Sequence, residues 1–199
     1  MKNNLISLKE DPIKLFAKWF KEAKNKEIND PNAMNLSTVS ENNKPSSRIV
    51  LLKSYSDQGF IFYTNTLSKK GKSLSKNKFV ALNFYWKTLK KQIRIEGKTL
   101  KVNNKTADEY FYSRPIESQI GAWASIQSNK LKNRLELENR FKNYEIKFKY
   151  KKVIRPTHWS GYIVVPNLIE FWQEMPHRLH DRVEFKKVKL MWKARNLFP

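Results

Sequence analysis

Residues 79–102 read FVALNFYWKTLKKQIRIEGKTLKV, and this stretch decides the class of fold. Phe79 to Trp86 and Gln92 to Val102 are apolar-rich runs of strand length, joined by a polar turn near Lys87 to Lys90, so they read as two paired strands. On the N-terminal side, Asp57-Gln58-Gly59 is a turn and Phe60 to Asn65 another strand. Arg48 to Lys53 holds four apolar residues in a row, Ile49 to Leu52, which predicts a strand buried on both faces. Ala33 to Val39 alternates loosely, and Glu41 to Pro45 is a polar turn. Further back, Asp11-Pro12 has the form of an N-cap followed by proline at the first helical position. Ile13, Phe16, Ala17, Phe20 and Ala23 then recur at helical spacing until Asp30-Pro31.

On the C-terminal side helices interrupt the strands. Thr106 and Glu109 have capping-box spacing, and Arg114-Pro115 breaks the helix that follows. Leu131, Leu135, Glu138 and Phe141 predict a longer helix with a charged outer face. Gly161 to Val165 and Leu168 to Trp172 read as two strands split by Pro166-Asn167, and the region around Val183 to Trp192 as one more. Short strands at close spacing point to a barrel or sandwich. With its packed helices the expected class is α+β. No repeat or linker divides the sequence, so residues 1–199 are expected to form one domain, with 1–10 as a flexible N-terminal segment.

Composition narrows the function. Hydrophobic residues at 40% can build a core. No apolar run is long enough to span a bilayer, and Met1 to Glu10 lacks a signal peptide's apolar stretch; a cytoplasmic location is expected. With no cysteine, thiolate metal sites and cysteine nucleophiles are excluded. The five glycines, Gly59, Gly71, Gly97, Gly121 and Gly161, are too far apart for a dinucleotide fingerprint or a P-loop. Any phosphate must therefore be held by side chains and isolated amides. His177 and His180 lie in Pro176-His177-Arg178-Leu179-His180-Asp181-Arg182, where two neighbouring arginines would repel a divalent cation, so no metal site is expected. The net charge of +22 raises the alternative of a nucleic-acid binder. However, only nine of the 40 basic residues are arginine and the lysines are scattered, which favours a solvated surface; no specific nucleic-acid partner is expected.

Five constellations carry chemistry. Arg48 and Lys53 bracket the apolar run and, on a regular strand, point to opposite faces. Tyr63-Thr64-Asn65 precedes Ser68-Lys69-Lys70, where a helix N-terminus beside two lysines would suit a phosphate. Tyr110, Arg114 and Ser118 fall at i, i+4 and i+8, a hydroxyl–guanidinium–hydroxyl grip. Gln127-Ser128 is a polar pair, with Ser128 open to reading either as the long helix's N-cap or as a site residue. Glu170-Phe-Trp-Gln173 followed by Arg178-Leu-His-Asp-Arg182 puts arginines and a histidine beside an aromatic wall, which suits a planar anion. Each of the first four is also explicable as ordinary capping or surface polarity.

Taken in order, the motifs RIVLLK, FYTN, YFYSRP, SQIGAW and EFWQ…RLHDR resemble those of the pyridoxamine 5'-phosphate oxidase family from about Asp11 to Pro199. The resemblance implies an FMN-binding split β-barrel with surrounding helices, acting as a homodimer with flavins at the subunit interface. It implies oxidation of pyridoxamine or pyridoxine 5'-phosphate to pyridoxal 5'-phosphate by hydride transfer to FMN, with dioxygen reduced to hydrogen peroxide. The roles it assigns are as follows. Arg48, Ile49, Val50, Leu51 and Lys53 line the FMN. Tyr63 and Thr64 contact the flavin, Lys69 and Lys70 its phosphate, and Gln92 its ring system. Gln127 and Ser128 approach from the partner's side, and Trp172 and Arg182 complete the cofactor site. Lys53, Tyr110, Arg114 and Ser118 grip the substrate phosphate, while Arg178, Leu179 and His180 cover the pyridine ring, Arg178 and His180 as the catalytic pair. The sequence departs from the family at Glu174-Met175-Pro176, where glycine is usual. Three alternatives stand beside this reading: another flavin-barrel oxidoreductase, a flavin- or pyridoxal-phosphate-binding protein without turnover, and a basic nucleic-acid-binding module.

Overall fold

The computed structural model describes residues 5–199. The helix predicted at Asp11 forms as α1 (Pro12–Lys26). Asp11 Oδ1 accepts from the amides of Ile13 and Lys14, satisfying two of the first-turn donors. The buried stripe Ile13, Leu15, Phe16, Trp19, Phe20 and Ala23 docks α1 on the strand core, where Phe16 meets Phe60 and Phe84 edge-on. Of the segment expected to be flexible, residues 1–4 lie outside the described residues. Ile6, within the described part, donates its amide to Asp181 Oδ2 at 2.7 Å.

The strands follow as β1 (Ala33–Val39), β2 (Pro45–Leu51), β3 (Ser54–Ser56), β4 (Gly59–Asn65), β5 (Phe79–Trp86), β6 (Lys91–Lys101), β7 (Trp159–Gln173), β8 (Asp181–Val188) and β9 (Met191–Asn196). Between them lie α2 (Lys69–Lys76), α3 (Asn104–Tyr112), α4 (Ile116–Ala124) and α5 (Arg134–Phe148). The sheet is antiparallel, ordered β2-β1-β5-β6-β7-β4-β3, with β8 and β9 added through β7. Its curvature follows from chain length. β2 and β3 end this order yet are joined only by Leu52 and Lys53. In a flat sheet they would stand roughly 29 Å apart at about 4.8 Å per strand, whereas such a link reaches about 11 Å at most. The sheet must curl, and Lys53 donates its amide to Ile61 O where the ends approach.

β7 organises the split. One edge pairs with β6 along its length; the other pairs with β4 through Val164 and with β8 from Leu168. The two strands expected on either side of Pro166-Asn167 are thus one strand. Pro166 sits where neither β4 nor β8 is paired, so its missing amide leaves no ladder bond unmade. Across from it β6 shifts register at Glu96/Gly97. A Cβ at Gly97 would fall 2.2 Å from Val165 O, so only glycine fits the crossing.

Four other expectations change. α3 is capped by Asn103, which accepts from the Thr106 amide, so Thr106 lies inside the helix. α5 begins at Arg134 behind Asn133, which leaves Leu131 outside it and excludes Ser128 as its cap. The tail expected as a single strand is the β8–β9 hairpin, turning at Lys189 with φ 56°. β2 is also not buried on both faces: it has a neighbour only in β1, and Ile49 is 65% exposed. The barrel core gathers Phe16, Phe60, Phe62, Phe84, Ile93, Ile95 and Phe171. A smaller cluster of Phe111, Ile120, Val153 and Trp159 binds the helical layer to β7.

Candidate functional site

A cleft of about 640 Å³ opens between the β2 edge, the C-terminal end of β4, α2, and the α3–α4 corner. Arg114-Pro115 turns the chain there as the sequence predicts, but the turn does not separate Tyr110, Arg114 and Ser118: all three line the cleft, from α3, the corner itself and α4. Gln119 holds the corner by donating its side-chain amide to Arg114 O at 2.8 Å. Ile49, Val50, Leu51, Lys53, Tyr63, Thr64, Lys70 and Gln127 join them in the lining.

The floor is aromatic. Tyr63 stacks on Tyr110 with centroids 4.1 Å apart and on Trp159 at 5.2 Å. Gly161 makes this possible, because a Cβ there would stand 2.7 Å from the Tyr63 ring. The Arg114 guanidinium lies 4.9 Å over Trp159, and Lys53 Nζ lies 5.8 Å from the centre of Tyr110. Burial raises the pKa of Tyr63, with the neighbouring Tyr110 and Glu109 adding to it.

The electrostatics are one-sided. Lys53, Lys70 and Arg114 line the cleft with no carboxylate in the lining. Burial lowers the pKa of Lys70, and the nearby charge of Arg48 lowers it further. Burial also lowers that of Arg114, partly offset by Tyr110. Arg114 Nη1 is buried and has no hydrogen-bond partner among the described residues. A buried charged donor without a partner costs free energy unless a ligand supplies the acceptor. A phosphate would supply it.

The other sequence-selected residues divide. Arg48 does not line the cleft; it donates to Leu36 O, Thr38 Oγ1 and Ser46 Oγ behind β2. Lys69 opens α2 and is exposed, while the Ser68 hydroxyl caps that helix by accepting from the Gly71 amide. Gln127 is held inside its own chain, accepting from Lys70 Nζ at 3.1 Å and Thr64 Oγ1 at 3.5 Å. Ser128 lies outside the cleft with φ 72°.

Gln92, Trp172 and Arg182 form a second group on β6, β7 and β8, in direct cross-strand register. None of them lines the cleft, and neither do Arg178, Leu179 or His180. His180 packs on Trp172 at 4.6 Å and its Nδ1 accepts from the Met175 amide, so the neutral ring carries its proton on Nε2. His177 and Arg178 both have left-handed φ, 58° and 63°. Non-glycine residues there cost about 1–2 kcal/mol each, so the turn presenting Arg178 is strained just past Glu174-Met175-Pro176. The sequence reading missed the cleft residues Trp159, Gly121, Ala122 and Ser125. Only the SQIGAW motif, which holds Gly121 and Ala122, signalled any of them.

The sequence profile described as pyridoxamine 5'-phosphate oxidase matches residues 20–148, and that of the pyridoxine 5'-phosphate oxidase C-terminal dimerisation region matches 159–199. A pyridoxine/pyridoxamine 5'-phosphate oxidase of Caulobacter vibrioides is 50% identical over 190 residues, spanning 96% of this chain and 86% of the relative. The one from Actinobacillus succinogenes is 49% identical over 189 residues, spanning 95% and 90%. Among solved structures, PhzG from Burkholderia lata 383, crystallised with tetrahydrophenazine-1-carboxylic acid, superposes with a TM-score of 0.90 at 28% identity, covering 95% of this chain and 93% of that one. An FMN-binding protein of Nostoc punctiforme shares the fold at TM-score 0.75 and 12% identity, covering 97% and 100%.

Proposed function

The chain belongs to the pyridoxamine 5'-phosphate oxidase family, and from that premise we infer that it oxidises pyridoxine 5'-phosphate and pyridoxamine 5'-phosphate to pyridoxal 5'-phosphate with FMN as cofactor. The observation that carries the reading is the carboxylate-free cleft, in which the buried Arg114 Nη1 lacks an acceptor.

The residues fit a phosphorylated substrate and a phosphorylated cofactor. Arg114, Lys53, Tyr110 and Ser118 converge on the cleft from α3, α4, the corner between them and the β2–β3 link, and would share the substrate phosphate: two cations, two hydroxyls and no competing acid. Lys70, with the α2 N-terminus behind it, would take the FMN phosphate. Arg48 adds charge from behind β2, and Lys69 from the exposed start of α2. The apolar edge Ile49, Val50 and Leu51 would face the flavin. Thr64 and Gln127, already hydrogen-bonded to each other, with Gln127 also accepting from Lys70, would fix its polar groups. When bound, FMN supplies the hydride acceptor and the route to dioxygen.

The group on β6–β8 completes the site through a second subunit. The profile matching β7 to β9 is that of a dimerisation region, and in one chain Gln92, Trp172, Arg182, Arg178, Leu179 and His180 stand outside the cleft. A homodimer in which this group faces the partner's cleft gives Gln92, Trp172 and Arg182 the flavin to contact, and Arg178, Leu179 and His180 the pyridine ring to cover. There Arg178 would orient the ring as a permanent cation, and His180 would offer its Nε2 proton as a donor.

The test is a visible spectrum of purified protein with FMN, before and after anaerobic pyridoxine 5'-phosphate. Retained flavin that bleaches, recovers in air and releases pyridoxal 5'-phosphate is the expected result. Retained flavin that never bleaches refutes the substrate assignment; no retained flavin refutes the cofactor assignment as well.

A further inference from the structure

Glu170 is a carboxylate with its side chain only 4% exposed, near the C-terminal end of β7. It lies on the face opposite the core residues Ile169 and Phe171, yet it is buried as deeply as they are. Two arginines cover it. Its Oε1 accepts from Arg182 Nε at 2.9 Å and stands 2.8 Å from Nη2 as an ion pair, while its Oε2 accepts from Arg94 Nη1 at 2.8 Å. The register explains the arrangement: Arg94 is the cross-strand partner of Glu170 on β6, while Arg182 sits one pleat along on β8, beside Trp172.

We propose that Glu170 is a positioning residue that aims Arg182 at the flavin. The inference rests on the cofactor reading above. A guanidinium has five N–H donors in a rigid plane. Glu170 holds Nε by a hydrogen bond and Nη2 by an ion pair, and Phe198 O accepts from Nη1 at 2.8 Å. The terminal nitrogens keep further donors for a planar acceptor. Contacts at all three nitrogens fix the plane of the guanidinium and so the direction of those donors. Arg94 shares the carboxylate but is also paired with Glu96 at 3.2 Å, so its charge is met on both sides while Arg182 depends on Glu170. An arginine held only by its stem would lose rotamer entropy on binding, which Glu170 has already removed.

The experiment is FMN affinity by quenching of flavin fluorescence, with thermal melting of the same variants as a control. Glu170→Gln keeps the shape but sets an amide donor against an arginine donor. It is expected to weaken FMN by about tenfold, the equivalent of one charge-assisted hydrogen bond. Arg182→Ala should weaken it at least as much, and adding Glu170→Gln to Arg182→Ala should change nothing further, because Glu170 acts through Arg182. Arg94→Met leaves the Arg182 contacts intact and should hold FMN within about twofold of wild type. If Glu170→Gln does not fold, Glu170→Asp, too short to reach both arginines, takes its place with the same expectation. A Glu170 variant that melts lower but binds FMN normally overturns the proposal, as does an equal loss with and without Arg182. Wild-type protein that binds no FMN refutes the cofactor reading itself, an outcome distinct from those two.

Discussion

Replacing Arg114 by methionine should make the ligand-free protein no less stable while crippling substrate binding, and the two effects can be sized separately. In the folded chain Arg114 Nη1 is buried without a partner. Removing such a donor relieves about 1–3 kcal/mol. The loss on the other side is the cation over Trp159, worth about 0.5–2 kcal/mol, since methionine keeps most of the apolar stem against Phe111 and Trp159. The balance runs from a loss of about 1 to a gain of about 2.5 kcal/mol and centres on a small gain, so the melting temperature should hold or rise and not fall by more than roughly 4 °C for a chain of this size. Binding moves the opposite way. Two charge-assisted hydrogen bonds to a phosphate, at about 1.5–3 kcal/mol each, amount to a loss of roughly a hundredfold or more in affinity. Calorimetric melting of the apo variant, beside the KM for pyridoxine 5'-phosphate, reads both. A variant that melts several degrees lower and keeps its KM would refute the reasoning, because it would make Arg114 a structural residue.

Gly161→Ala drives a methyl group to 2.7 Å from a Tyr63 ring held between Tyr110 and Trp159; a stability loss of about 1–3 kcal/mol is expected in denaturant titration, with a higher KM. Lys70 gives a pH signature. Its folded pKa lies below its ordinary 10.5, so between the two values the unfolded chain binds more protons and stability rises with pH through that window. Lys70→Met should remove this rise when unfolding free energies are compared across that range, and inorganic phosphate should flatten it in the wild type. Ile49→Lys puts a charge on the exposed apolar edge of β2; sedimentation should show a shift from dimer towards monomer, accompanied by loss of retained flavin, and an unchanged dimer would remove β2 from the interface.

The sequence carried the strand plan well where local signals agreed. The Asp11 cap, the Lys87 to Lys90 turn and the Pro115 break are each set by residues within a few positions. It failed where a distant strand decided the outcome. Pro166 looks like a strand terminator, and only the absence of β4 and β8 at that point lets β7 run through it. The apolar run at Ile49 to Leu52 signals burial but cannot say whether the cover is the chain's own. The grouping of Lys53, Tyr110, Arg114 and Ser118 was legible because they occur in ordered motifs, and the structure brings them to one cleft. Trp159 was not, since its place under Tyr63 depends on β4–β7 pairing across a hundred-odd residues of sequence. Nor could motif order reveal that Gln92, Trp172 and Arg182 stand apart from that cleft within one chain.

The shared strand also sets a schedule for synthesis. β4 and β6 both wait for β7: Phe60 finds its partner in Val164, and Ile95 in Ile169. Until that segment leaves the ribosome, two half-built sheets expose ladder edges, a hazard for a chain still being made. The lysines on those strands and turns, such as Lys91, Lys98 and Lys101 on β6, then act on the nascent chain, since like charges keep two unfinished copies from joining edge to edge. A net charge of +22 would act in the same direction, disfavouring contact between unfinished copies until the strand that closes both sheets arrives.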